Sequence, residues 1–165
     1  MRCFVGVSPL RQHIESVGGA KYKMESTTKT SIRIRVCLAV VDDNKILLVP
    51  HYETDAGAVQ WVVPGGKVEF GESLHEAAAR EFFEETGLQT EVTGLLQVTE
   101  VILPDKPYHS ITISFSGRVT GGEIKAEANH PYGEKIPKWL SATEVMSTNY
   151  HPKQTVEQAL GIQMA

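Results

Sequence analysis

The chain has 165 residues, 41% of them apolar and 22% charged, with a formal net charge of -4. That length fits one domain with a real core, and the negative balance argues against a broad nucleic-acid surface or polymer partner. No apolar run reaches the length of a membrane span, and Cys3 and Cys37 alone make neither a disulfide framework nor a zinc site.

Residues 1–31 read as an N-terminal extension that ends in a Ser/Thr-rich linker, with the folded domain expected over 32–165. The extension is either a flexible tail, with Met24 as a second candidate initiator, or a dimerisation arm. Arg11, His13 and Glu15 interrupt the apolar core that a secretory signal needs, so the expected location is cytoplasmic and no membrane partner is expected. From Ile32 to Val41 the sequence alternates and then turns fully apolar, as in a strand entering a core, with Cys37 as a buried thiol. Asp42 to Asn44 read as a turn, and Lys45 to Pro50 as the return strand of a hairpin. His51 to Gln60 read as a loop and Trp61 to Val63 as a short strand. Pro64, Gly65 and Gly66 then form a turn that a regular element would not tolerate.

A helix follows. Ser73 and Glu76 have capping-box spacing, Ala77 to Ala79 favour helix, and Gly87 suits the position past its end. Glu91 to Leu103 and His109 to Thr120 read as strands broken by Pro104 to Pro107, and Glu123 to Pro137 as irregular. Trp139 and Leu140 give a short strand, Ser141 with Glu144 caps a short helix, and Thr155 to Met164 form a last helix. Strands mixed with two or three helices place the chain in the α/β or α+β class.

The chemistry concentrates on the first helix. Leu74, Ala77 and Ala78 share one face, and that face continues into Glu81, Glu84 and Glu85. Three close carboxylates repel one another unless compensated, and a hard divalent cation bound by their oxygens removes that cost. The plainer reading is a solvated acidic face in which Arg80 pairs with Glu84. The Gly-Gly turn, the spacing to Glu72 and the change from apolar to acidic on an inward face favour a metal site.

These residues resemble the Nudix box, G-x5-E-x7-R-E-U-x-E-E-x-G-U with U a bulky apolar residue. Gly66, Glu72, Arg80, Glu81, Phe82, Glu84, Glu85, Gly87 and Leu88 occupy its fixed positions, with Phe82 where an aliphatic residue is commoner. The looser resemblance runs from Ile32 to Val145. It implies an α/β/α sandwich with a mixed β-sheet between helices. It also implies hydrolysis of a nucleoside diphosphate linked to another group, dependent on Mg²⁺ with Mn²⁺ as a substitute. Glu81 and Glu85 are the implied metal ligands, Glu84 a further ligand or its support, and a carbonyl of Gly65 or Gly66 completes the set. Glu72 is implied to support the loop–helix geometry, and Arg80 to orient the glutamates.

The implied general base is either a box glutamate or a later carboxylate, for which Glu134 competes with Glu123 and Glu127. Tyr52, Tyr108 and Tyr132 are candidates to stack on a base, and His51 and His109 to touch phosphate. Trp61 and Trp139 read as core residues. Pro104 stands 16 residues after Leu88, a spacing associated in the family with ADP-ribose pyrophosphatases. The L-P-D sequence around it equally resembles triphosphatases that sanitise nucleotide pools, or marks a strand end. Two other classes stay open: a non-catalytic nucleotide sensor, which a degraded box would favour, and an interaction module with a solvated acidic helix. The implied partner is a small nucleotide substrate, and a homodimer stays open.

Overall fold

Alternation along the first strand sets the layers of this fold. In the computed structural model, which describes residues 31–52, 59–103, 105, 107–126 and 134–162, strand β1 covers Arg33–Asp42. Successive side chains of a strand point to opposite faces. Val36, Leu38 and Val40 accordingly enter one core, and Cys37 and Ala39 another. A strand buried on both faces reads as a continuous apolar run, and residues 36–40 do.

β2 (Lys45–Tyr52) pairs antiparallel with β1 through a tight turn in which Asp43 and Asn44 have positive φ. β3 is Val59–Val62 and β4 is Gly65–Lys67. Helix α1 (Leu74–Thr86) is followed by two long strands, β5 (Leu88–Leu103) and β6 (Tyr108–Gly122). β7 (Lys138–Ser141), α2 (Ala142–Met146), β8 (Asn149–His151) and α3 (Lys153–Ala159) complete the described chain. Among the described residues the strands run in the order β5-β6-β1-β2-β3-β8, with β4 added to β1 and β7 to β2. The sheet is mixed, because β1 pairs parallel with β6 and β3 parallel with β8.

Helix α1 covers one face. Ala77, Ala78 and Phe82 pack with Val36, Leu38, Val40, Leu47 and Phe115. Val145 of α2, Val156 of α3 and Tyr150 of β8 cover the other face, over Cys37, Ala39, Ile46 and Leu48. The expected α/β/α sandwich is therefore present. No helix among the described residues is long and apolar enough to cross a membrane.

Several expectations need correction. Gly65 and Gly66 lie in strand β4 rather than in a turn, with Cys37 opposite Gly65 and Val36 opposite Gly66. Glycine is needed at position 65 because a Cβ there would run into the Val36 carbonyl and the Cys37 backbone. His51, Tyr52, Val59 and Gln60 are strand residues in register across β2 and β3, not a loop. β8 was not anticipated; a run of three residues shows no periodicity, and its strand character comes from pairing with β3. The last helix starts at Lys153, ahead of Thr155. Cys3, Met24, Pro104, Glu127 and Tyr132 lie outside the described residues.

Both capping boxes form. In α1 the Ser73 hydroxyl accepts from the Glu76 amide at 3.2 Å, and the Glu76 carboxylate accepts from the Ser73 amide at 2.9 Å. Gly87 closes the helix with φ of 76° and donates its amide to the Phe83 carbonyl at 2.8 Å. Phe82 is fully buried between α1 and the sheet. We expect Phe82→Ala to lower unfolding free energy by about 3–5 kcal/mol, measured by urea denaturation.

Candidate active site

The inward face of α1 is narrower than its sequence suggests. Its buried residues are Ala77, Ala78, Phe82 and Thr86, while Leu74 is 38% exposed. At 100° per residue Glu84 lies 200° around from Phe82, and its side chain is 56% exposed. Glu81 and Glu85, one turn apart, lie on the border of the buried stripe and are half-buried. Two of the three glutamates therefore face the sheet, and the third faces solvent.

β4 receives those two. The Gly65 amide donates to a Glu85 carboxylate oxygen at 3.1 Å. Glu81 lies so close to Gly66 that a Cβ on Gly66 would collide with its carboxylate. A glycine at 66 thus makes room for Glu81, a different reason from the turn inferred from sequence. The β1–β4 pairing fixes this backbone, with Cys37, at the same time.

Arg80 organises the remainder. Its Nε donates to Glu72 at 2.7 Å and one terminal nitrogen to the other Glu72 oxygen at 3.0 Å, a bidentate pair. The same nitrogen donates to the Lys67 carbonyl at 3.2 Å. The other terminal nitrogen reaches Glu81 at 2.9 Å and Glu84 at 3.3 Å. Glu72 also accepts from the Glu69 amide at 3.1 Å. The Arg80 hydrogen bond, then the Glu69 amide, hold the Glu72 carboxyl below its usual range. The Glu72 pair likewise holds Arg80 firmly protonated, above its ordinary value. Part of the repulsion expected among the acidic residues is thus already relieved by a guanidinium.

The oxygens at this junction are carboxylates and backbone carbonyls, the hard donors that Mg²⁺ takes. Among the described residues no three His, Cys, Asp or Glu side chains are gathered into a cage for an ion. Mg²⁺ needs none, since it keeps several waters and binds through one or two carboxylates plus substrate phosphates. Glu81 and Glu85 fit that pattern.

Beside Gly65 and Glu85 opens a cleft of about 420 Å³, also lined by Arg35, His51, Gln60, Tyr108, Lys135 and His151. The volume suits a small organic ligand. His51 and Tyr108 line it, and Arg33 lies over the Tyr108 ring at 4.8 Å. Tyr52 is not in the lining; its hydroxyl donates to the Glu134 backbone carbonyl at 3.1 Å. Glu134 is exposed and outside the described lining, one residue from Lys135, which is in it. His109 pairs with Glu100 at 2.9 Å, away from the cleft. Trp61 packs against the second core and Trp139 against the first.

Sequence reasoning missed Arg35, Lys135, Gln60 and His151. For Arg35 a signal existed: a cation two residues before Cys37, on the strand face that goes on into the core. His151 lies on the unanticipated β8, where burial first, and then the charge of Arg35, push its imidazole below the usual range.

The two glycines should separate by variant. Gly65→Ala meets backbone and should cost about 1–3 kcal/mol in urea denaturation. Gly66→Ala meets only the end of a side chain, so it should fold normally while displacing Glu81, seen as reduced stabilisation by Mg²⁺ in thermal melts. Glu72 gives a pH test. Its depressed carboxyl contributes stability above the unfolded value of about 4.3 and loses it as pH falls through the folded value. The difference in melting temperature between wild type and Glu72→Gln should therefore be present at neutral pH and vanish in acid.

A NUDIX domain match covers residues 31–159. The ADP-ribose pyrophosphatase of Methanocaldococcus jannaschii is 44% identical over 84 residues, 51% of this chain and 49% of that protein. This chain thus spans about half the length of that relative. Phosphatase NudJ of Escherichia coli (strain K12) is 31% identical over 117 residues, 70% of this chain and 72% of its own length. The crystal structure of a MutT NUDIX hydrolase from Burkholderia pseudomallei matches with a TM-score of 0.64 at 27% identity, covering 78% of this chain and 98% of the other. With the box geometry built on α1 and β4, a family match over most of the chain and the shared fold, this chain belongs to the NUDIX family.

Proposed function

We propose that this chain is a Mg²⁺-dependent pyrophosphohydrolase that cleaves a nucleoside diphosphate linked to another group. One observation carries the reading. Glu85, held by the Gly65 amide, lines the same cleft as Arg35, Lys135 and Tyr108, so metal-ligand chemistry, cations for phosphate and an aromatic ring share one space. An acidic helix alone would repel a pyrophosphate. Here cations stand in the same cleft.

Glu81 and Glu85 are the proposed metal ligands, with the backbone carbonyl of Gly65 or Gly66. Mg²⁺ bound there would neutralise phosphate oxygens and lower the pKa of an attacking water. Arg80 holds Glu81 in place and shares its charge with Glu84, which acts through Arg80 from the solvent side. Glu72 fixes the other edge of the guanidinium. Arg35 and Lys135 offer charge to the phosphates, and Tyr108 and His51 offer surface to the organic part. Tyr52 supports the segment carrying Lys135 rather than the substrate. As proton acceptor, a box glutamate is favoured over Glu134, because the box reaches the cleft through Glu85 and the described lining does not include Glu134. Little covalent work is left to the protein beyond positioning and proton removal.

The names of the relatives include ADP-ribose pyrophosphatase and a phosphatase, and the complete box favours catalysis over a sensor role. A screen with Mg²⁺ over ADP-ribose, nucleoside triphosphates, dinucleoside polyphosphates and nucleotide sugars tests the reading. Glu85→Gln should lower kcat by roughly a hundredfold or more with an unchanged circular dichroism spectrum. Turnover equal to wild type in that variant would remove Glu85 from the site.

A further inference from the structure

We infer that Arg35 is the phosphate-clamping residue of the cleft, holding the substrate's diphosphate between two lobes. The inference rests on the hydrolase reading, but its argument comes from β1.

Arg35 sits half-buried on β1, opposite Lys67 of β4 and Thr112 of β6. A buried or half-buried guanidinium ordinarily has a carboxylate or carbonyl partner. Arg35 has no hydrogen-bonded or ionic partner among the described residues. Its direct cross-strand neighbour Lys67 carries the same charge, a pairing that destabilises a sheet. Strand β1 therefore carries a cation with no direct partner among the described residues, next to a like charge, and an anion would relieve it.

The cleft supplies the place for that anion. The lobe beside Glu85 is continuous in its lining with a second, of about 380 Å³. Arg35, Tyr108, Thr112, His151 and Pro152 line both. The second lobe adds Gln97, Thr99, Ser110 and Gln154, which are neutral hydrogen-bonding side chains, together with Lys153. The box glutamate Glu85 lines only the first. Arg35 thus stands at the junction, with the box on one side and a mostly neutral polar lobe on the other. A guanidinium presents a planar fork of donors that fits two phosphate oxygens at once. His151 beside it is pushed toward the neutral form, so it adds no fixed charge at that point. Arg35 is the permanent charge that both lobes share, and a group joined through the diphosphate would extend past it into the second lobe.

The test uses inorganic pyrophosphate with Mg²⁺ on the full chain, read by calorimetry, because this probe binds without help from any organic group. Arg35→Gln should weaken pyrophosphate binding by roughly tenfold to a hundredfold. Arg35→Lys, which keeps the charge and loses the fork, should fall between that variant and wild type. The melting temperature without ligand should not fall in Arg35→Gln, since a costly cation is being removed. If Arg35→Gln does not fold, Arg35→Lys carries the test through its own loss of affinity. Wild-type affinity in the variant that folds would overturn the clamp. So would a wild-type chain that does not bind pyrophosphate at all. The hydrolase reading is judged separately, by whether the wild type turns over any nucleotide in the screen. A chain that hydrolyses nucleotides but binds pyrophosphate equally well with and without Arg35 would refute this inference alone.

Discussion

The site depends on one guanidinium. Arg80 spans Glu72 before the helix, Glu81 and Glu84 within it, and the Lys67 carbonyl at the end of β4. A lysine could not do this, since it lacks the planar fork that takes both oxygens of Glu72 while reaching two further acids. The arrangement is partly exposed, so its Coulombic worth is screened and its value lies in direction more than in energy. It holds the helix, the segment leading into it and the short strand β4 in one relation, and the relation aims Glu81 at Gly66.

The second constraint is β1. Its alternating residues supply both cores, its backbone carries β4 and β6, and Arg35, Val36 and Cys37 line the cleft. A buried polar chain runs out from the same strand. The Cys37 thiol donates to Ser114 at 3.2 Å, Ser114 meets Thr155 at 2.9 Å, and Gln97 donates to Thr155 at 2.5 Å. Burial, partly offset by the Ser114 bond, pushes the Cys37 thiol above its usual range, so it is an inert packing group rather than a nucleophile. The network ties β1, β6, α3 and β5 together, and its ends at Cys37 and Gln97 reach the two lobes of the cleft.

The sequence made α1 legible because its signals are local. Capping boxes, a helix-favouring alanine run and a left-handed glycine operate within a few residues of one another, and all of them form. The box carboxylates were legible for the same reason. The outward placement of Glu84 was not, because Phe82 takes the core position and Glu84 lies 200° around the helix from it. Gly65 and Gly66 looked like a turn because glycine signals freedom; their actual need is close approach, to β1 on one side and to Glu81 on the other. Arg35, Gln60 and His151 could not be assembled from sequence, since only the sheet topology brings them to one cleft. The cleft lining is non-local here, while the box is local.

That division has a temporal consequence. The box and the strand that receives it are nearly contiguous, but the far wall is closed by β8. There the Gln60–Asn149 contact spans 89 residues, and the His151 carbonyl accepts from the Val63 amide at 3.0 Å. A chain emerging from the ribosome at about 5–20 residues per second presents its acidic helix seconds before it presents β8, which completes the cleft wall. The order of synthesis thus places the acidic helix ahead of β8, and the cleft wall is completed only when β8 pairs with β3.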